Sequence, residues 1–164
     1  MDTSKITNGD YLVGGGGIVF LIAMVLPWFG VAGYSENGLD FFVTGIVPLL
    51  LVVVVISLIL LQEQTEVDLP EVPVPWALVE LVTASLALLL VLARFVLGSS
   101  FTAINVQGRR ANIDLDTKYG LFIAMLALSA VLAGVLVKVF EEGGLDQLRP
   151  GASSNLYPPN PEGL

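Results

Sequence analysis

The 164-residue sequence contains no cysteine and no histidine. Those two absences remove disulfide scaffolds, thiol nucleophiles, zinc sites, iron–sulfur clusters, His-ligated haem and Ser-His-Asp triads. Charge is scarce as well: Asp, Glu, Lys and Arg make up 13% of the chain, against about a quarter in a soluble domain. Positive charge is scarcest, with 7 Lys and Arg against 15 Asp and Glu and a net charge of −8. So few cations cannot neutralise a run of phosphates, which excludes nucleic acid as a partner. What fills the chain instead is apolar: 55% hydrophobic residues and a mean hydropathy of +0.84. One small soluble core cannot hide that much apolar surface.

Charges punctuate the sequence, and the gaps between them have the length of membrane crossings. Tyr11–Ser35 is 25 residues without a charge, Phe41–Gln62 is 22, and Tyr119–Val137 is 19. About 20 helical residues cross the ~30 Å hydrocarbon layer. Pro75–Gly98 is long enough too, though it carries Glu80 and Arg94 around the run LVTASLALLLVLA. A buried soluble helix would show a polar face at a period of 3.6. LLLVVVVISLILL at 49–61 shows none. The expectation is an all-α membrane protein: a four-transmembrane-helix bundle spanning about 11–33, 41–62, 75–98 and 119–139, within a 1–140 domain. The alternative is three spans, with the third segment lying in or re-entering the membrane. Four spans put both termini on one side. The first run is too long for the apolar core of a signal peptide and carries Pro27-Trp28, so it reads as an uncleaved helix.

Lys and Arg in short loops should set orientation. The terminal side holds Lys5, Lys138 and Arg149; the other holds Arg109, Arg110 and Lys118, with Arg94 near it. The count does not decide. The loops differ more clearly. Segment 34–40 is short, with Asn37-Gly38 as a tight turn. Segment 63–74 is acidic and proline-punctuated, hence extended, and Pro75 and Trp76 suit the start of the third helix. Segment 99–117 alternates around Gln107-Gly108-Arg109-Arg110, which suits a short β-hairpin on the membrane surface or an irregular loop. The 141–164 tail is acidic and rich in Gly and Pro, suited to disorder alone or to an extended path on a partner.

Gly14–Gly17 is no phosphate loop, because no strand precedes it and no Lys-Ser/Thr follows. Close helix packing or a loosened first turn explains it better. Glu80 and Arg94 are the charges inside a span, where ionisable residues are functional candidates. They lie 14 residues and about 21 Å apart, on one face with Ala84, Ala87 and Val91 between them. Such a face turns away from lipid, so Glu80, Ala84, Ala87 and Arg94 are candidate partner contacts, or else an interface position with a polar neighbour. Arg94 should be held by a carbonyl or by Asp114 or Asp116. In the last span Gly120, Ala124, Ala127, Ala130 and Gly134 form a small-residue face for helix packing. Trp28 and Phe29 suit an aromatic anchor at the membrane surface. No catalytic residues, cofactor or metal are expected.

Leu26-Pro27-Trp28-Phe29, then Asn37-Gly38-Leu39-Asp40-Phe41-Phe42, then Tyr119-Gly120-Leu121-Phe122 give a layout that resembles small four-pass membrane proteins of actinobacterial type. The resemblance implies a bacterial inner-membrane protein with its N-terminus inside and the 34–40 and 99–117 loops outside. It carries over no catalytic residue.

These features suit a non-catalytic accessory subunit whose partners are membrane lipids and other membrane protein subunits. A complex that transports lipids or envelope components is the preferred host, and a respiratory complex the next. A homo-oligomeric channel or transporter lined by Glu80 is the alternative, and an adhesion or junction-like protein built on 99–117 a third.

Overall fold

A computed structural model of the chain describes residues 8–64, 76–104 and 110–141. Within them, α1 (Asn8–Val25), α2 (Val47–Gln64), α3 (Trp76–Leu97) and α4 (Tyr119–Glu141) are helices. Four helical segments are long and apolar enough to cross a membrane, with mean hydropathies of 1.4, 3.0, 2.2 and 2.6 in chain order. Alongside them stand four strands: β1 (Pro27–Val31), β2 (Tyr34–Asn37), β3 (Ser99–Ile104) and β4 (Arg110–Thr117). They form one antiparallel sheet in the order β2-β1-β4-β3. The chain is therefore not purely all-α.

The first charge-free gap divides at Pro27. A residue before proline is driven out of the helical region, and proline itself has no N–H for the ladder. α1 stops at Val25, well short of the expected residue 33, and β1 begins. β1 turns into β2 through Ala32 and Gly33, both with positive φ (37° and 88°), as a two-residue hairpin with Val31 opposite Tyr34 requires. Between Pro27 and Phe29 the register slips. That bulge turns Trp28 into the bundle, where it is fully buried and its Nε1 donates to the Ala23 carbonyl at 2.8 Å. Phe29 is equally buried. Neither ring is a surface anchor: both are core.

Asn37 does turn the chain, but as a cap. Its side-chain oxygen accepts from Leu39 N (2.9 Å) while its own N donates to Asp40 Oδ2 (2.7 Å), fixing a 3₁₀ turn at 38–40. A π-turn over Phe42–Ile46 follows, and regular helix starts at Val47 rather than Phe41. Pro48 accounts for the widened turn, since its ring would clash with the carbonyl four residues back. Segment 99–117 forms the hairpin, Ser99 opposite Leu115 through Ile104 opposite Arg110. Gly98, at φ 65°, ends α3 and lets the chain reverse into β3. Residues 1–7, 65–75, 105–109 (where the Gln107-Gly108-Arg109 turn is expected) and 142–164 lie outside the described residues.

The sheet caps one end of the bundle, because α1 and α3 run into β1 and β3, and β2 and β4 feed α2 and α4. Its underside shares a core with Phe20, Met24, Leu121 and Leu128. A second cluster, including Val13, Val55, Ala84, Val131 and Val135, fills the opposite end. Lipid supplies no hydrophobic drive between helices, so close van der Waals contact holds them. α1 and α4 meet most intimately. A Cβ on Gly16 would stand 2.9 Å from the Ala127 carbonyl oxygen, and one on Gly134 would stand 2.6 Å from that of Gly9.

Candidate functional site

Three charges converge at the end of the bundle away from the sheet. Lys138 Nζ, in the last turn of α4, lies 3.5 Å from Glu80 Oε2 of α3 and 3.7 Å from Asp10 Oδ1 of α1. Glu80 is fully buried, and Lys138 and Asp10 keep 5% and 9% of their surface. Each charge suits its helix: Asp10 sits in a first turn, Lys138 in a last turn, and Glu80 one turn in from the start of α3. One ammonium thus serves two carboxylates and ties three helices together. Three hydroxyls in the helices are spent locally, Ser57, Thr83 and Ser129 each donating to the carbonyl four residues back at 2.7, 2.7 and 2.9 Å.

The expected stripe on α3 exists, but the chain covers it with its own helices. Ala84 and Ala87 are buried to within 1% of their surface, beside Glu80 and Val91. Gly120, Ala127 and Gly134 are buried on α4, and Ala130 is partly so. Asp10 and Lys138 border charge-free gaps, so gap counting places them in loops. Their signal was position: both flank spans on the same side as Glu80, and Lys138 continues the small face one turn beyond Gly134.

Arg94 finds rings instead of a carboxylate. Its guanidinium carbon stands 3.6 Å from the Phe41 ring centre and 5.2 Å from that of Phe29. Neither Asp114 nor Asp116 comes within ion-pair distance; Asp116 instead lies in the ladder opposite Gly30. Guanidinium is planar and weakly hydrated, so aromatic faces accept it well. Phe41, half-buried and outside the sheet, stacks on the fully buried Trp28 of β1, 6.3 Å between centres, so the cation rests on rings that back onto the core. Beside it, Ser99 Oγ donates to Glu36 Oε2 at 2.5 Å, fastening β3 to β2 across the sheet.

A groove of about 330 Å³ separates α1 from α2, lined by Val13, Gly14, Gly15, Ile18, Ile56 and Ile59 and reaching Asp10. The four-glycine run divides here. Gly16 and Gly17 press on α4 and α2, whereas a Cβ on Gly14 or Gly15 would meet nothing within 4 Å. Among the described residues, no three His, Cys, Asp or Glu side chains are grouped to hold a metal. No protein-family model, curated protein or solved structure matches this chain.

Proposed function

We propose that this protein is a non-catalytic accessory subunit of a larger membrane assembly, in a bacterial inner membrane with both termini in the cytoplasm. A complex that moves lipids or other envelope components is the preferred host. The observation that carries this reading is Glu80. It is fully buried in ion contact with Lys138, so it fastens α3 to α4 and is not placed to line a path between copies. The membrane location and orientation follow the resemblance to actinobacterial four-pass proteins. Partner contact then falls to the outside of the molecule, above all to β2 and β3, the two edges of the sheet. The outer strand of a sheet is a ready site for another chain to add a strand.

A photo-crosslinker at the exposed Ser35 of β2 or Ser100 of β3 tests this in cells at native expression. The expected result is one discrete, stoichiometric membrane-protein adduct that also co-purifies in mild detergent. A chain recovered alone, with no adduct from either edge, overturns the reading. So does solute or ion flux through the purified, reconstituted chain that Glu80→Gln abolishes.

A further inference from the structure

A second polar feature lies where α3 meets the sheet, on a different surface from the buried Lys138 tie. A pocket of about 380 Å³ opens there, walled by Arg94, Leu97, Ser99, Ser100 and Asp114. One wall is cationic and the other anionic, yet the two charges make no ion pair with each other. Arg94 Nε is buried without a hydrogen bond, although the guanidinium is well seated on Phe41 and Phe29. Glu36, on β2, is engaged by the Ser99 and Tyr34 hydroxyls. Rings satisfy a guanidinium's faces and leave its in-plane N–H groups for an acceptor.

The pocket's depth in the membrane narrows the acceptor. On the membrane reading proposed above, Arg94, in the last turn of α3, falls at the level of the lipid headgroups. Just beyond it Val96 and Leu97 are 81% and 74% exposed, an apolar apron for acyl chains. We infer that this pocket binds the zwitterionic headgroup of an ammonium-bearing phospholipid. The phosphodiester oxygens accept from the Arg94 guanidinium and the Ser100 hydroxyl, and the ammonium donates to Asp114. A zwitterion bridges two opposite charges held too far apart to meet. A purely anionic headgroup would leave the Asp114 wall facing negative charge.

Native mass spectrometry of the full chain in mild detergent reads lipid retention. The probes are phosphatidylethanolamine, phosphatidylglycerol, diacylglycerol and free phosphoethanolamine. Phosphatidylethanolamine should be retained in preference to the other three. Arg94→Gln should weaken its retention about tenfold, the loss of one charge-assisted hydrogen bond, while Arg94→Lys keeps part of it. Asp114→Asn changes an exposed side chain and should shift preference towards phosphatidylglycerol. Equal retention of all three lipids by the unaltered chain overturns the inference, as does an unchanged preference in Asp114→Asn. Free phosphoethanolamine bound as tightly as the lipid would assign the pocket to a soluble phosphate compound instead.

Discussion

Lys138 and Arg94 hold positive charge near opposite ends of one bundle, and their surroundings could hardly differ more. Lys138 lies between two carboxylates from two other helices; Arg94 lies on two phenylalanine rings. An ammonium is a compact, strongly hydrated charge, and once buried it needs formal counter-charge. A guanidinium spreads its charge over a plane and is content against π faces, with its edge left free to bind. The Lys138 end is therefore closed on itself, and the Arg94 end is open. The first makes the bundle hold together; the second gives it a surface with chemistry.

Removing the central cation should break this contrast most severely. Lys138→Met leaves Asp10 and Glu80 facing each other in a low-dielectric interior, which typically costs about 3–5 kcal/mol. Thermal unfolding in detergent should show a large fall in midpoint. The triple change Asp10→Asn, Glu80→Gln and Lys138→Met should recover most of it, because no charge is then left uncompensated. A single Lys138→Met chain that melts like the parent would show that the three charges do not tie the helices.

Glycines near the tie sharpen the comparison at smaller scale. Gly134 is one turn from Lys138, and Gly9, which it meets, adjoins Asp10. Gly134→Ala would set its Cβ 2.6 Å from the Gly9 carbonyl oxygen and 2.9 Å from Leu12 Cβ, forcing α1 and α4 apart for about 1–3 kcal/mol. Gly15→Ala meets nothing within 4 Å, so only helix propensity acts, and the change should stabilise by roughly 0.5–1 kcal/mol. Opposite signs of the melting shift for two glycines in one bundle are expected. The same sign for both would mean that α1 is not seated as described.

The helices were legible because charge is rare enough here for its absence to measure length. That same rule hid β1. Pro27–Val31 is uncharged and apolar, so hydropathy reads it as more helix, although Pro27 alone is a sufficient stop. The 99–117 hairpin was visible through its alternation, but the pairing of β1 with β4 was not. It joins residues 88 and 86 apart, Phe29 to Thr117 and Gly30 to Asp116, and no local pattern encodes that. At the candidate site, Glu80 stood out as a charge inside a span. Its companions did not, since Asp10 and Lys138 fall just beyond charge-free runs and look like loop residues. Arg94 is legible as a charge inside a span, but its partners are not: a carboxylate or a carbonyl is the obvious mate on paper, and the rings become available only once Phe41 and Phe29 pack beneath it.

The smallest expected effect lies on the sheet, in an exposed counterpart to the buried tie. Tyr34 donates its hydroxyl to Glu36 Oε1 at 3.3 Å, and the negative charge of Glu36 is the main reason its phenol titrates above the ordinary value of 10.0. A raised phenol pKa means that the fold favours the protonated form. The contribution is fully present below the unfolded value and is lost as pH rises through the folded one, so it acts only in alkaline solution. Phenolate absorbance, taken as the difference between the parent chain and Tyr34→Phe, isolates this residue from the other three tyrosines. Glu36→Gln should bring that titration down towards the ordinary value. High salt should do part of the same, because an exposed pair is screened. The melting temperature set by the Lys138 tie should respond far less to salt, being shielded from counter-ions. If salt moved the tie as much as it moved Tyr34, the tie would have to be open to water, and the contrast between a closed end and an open one would fail.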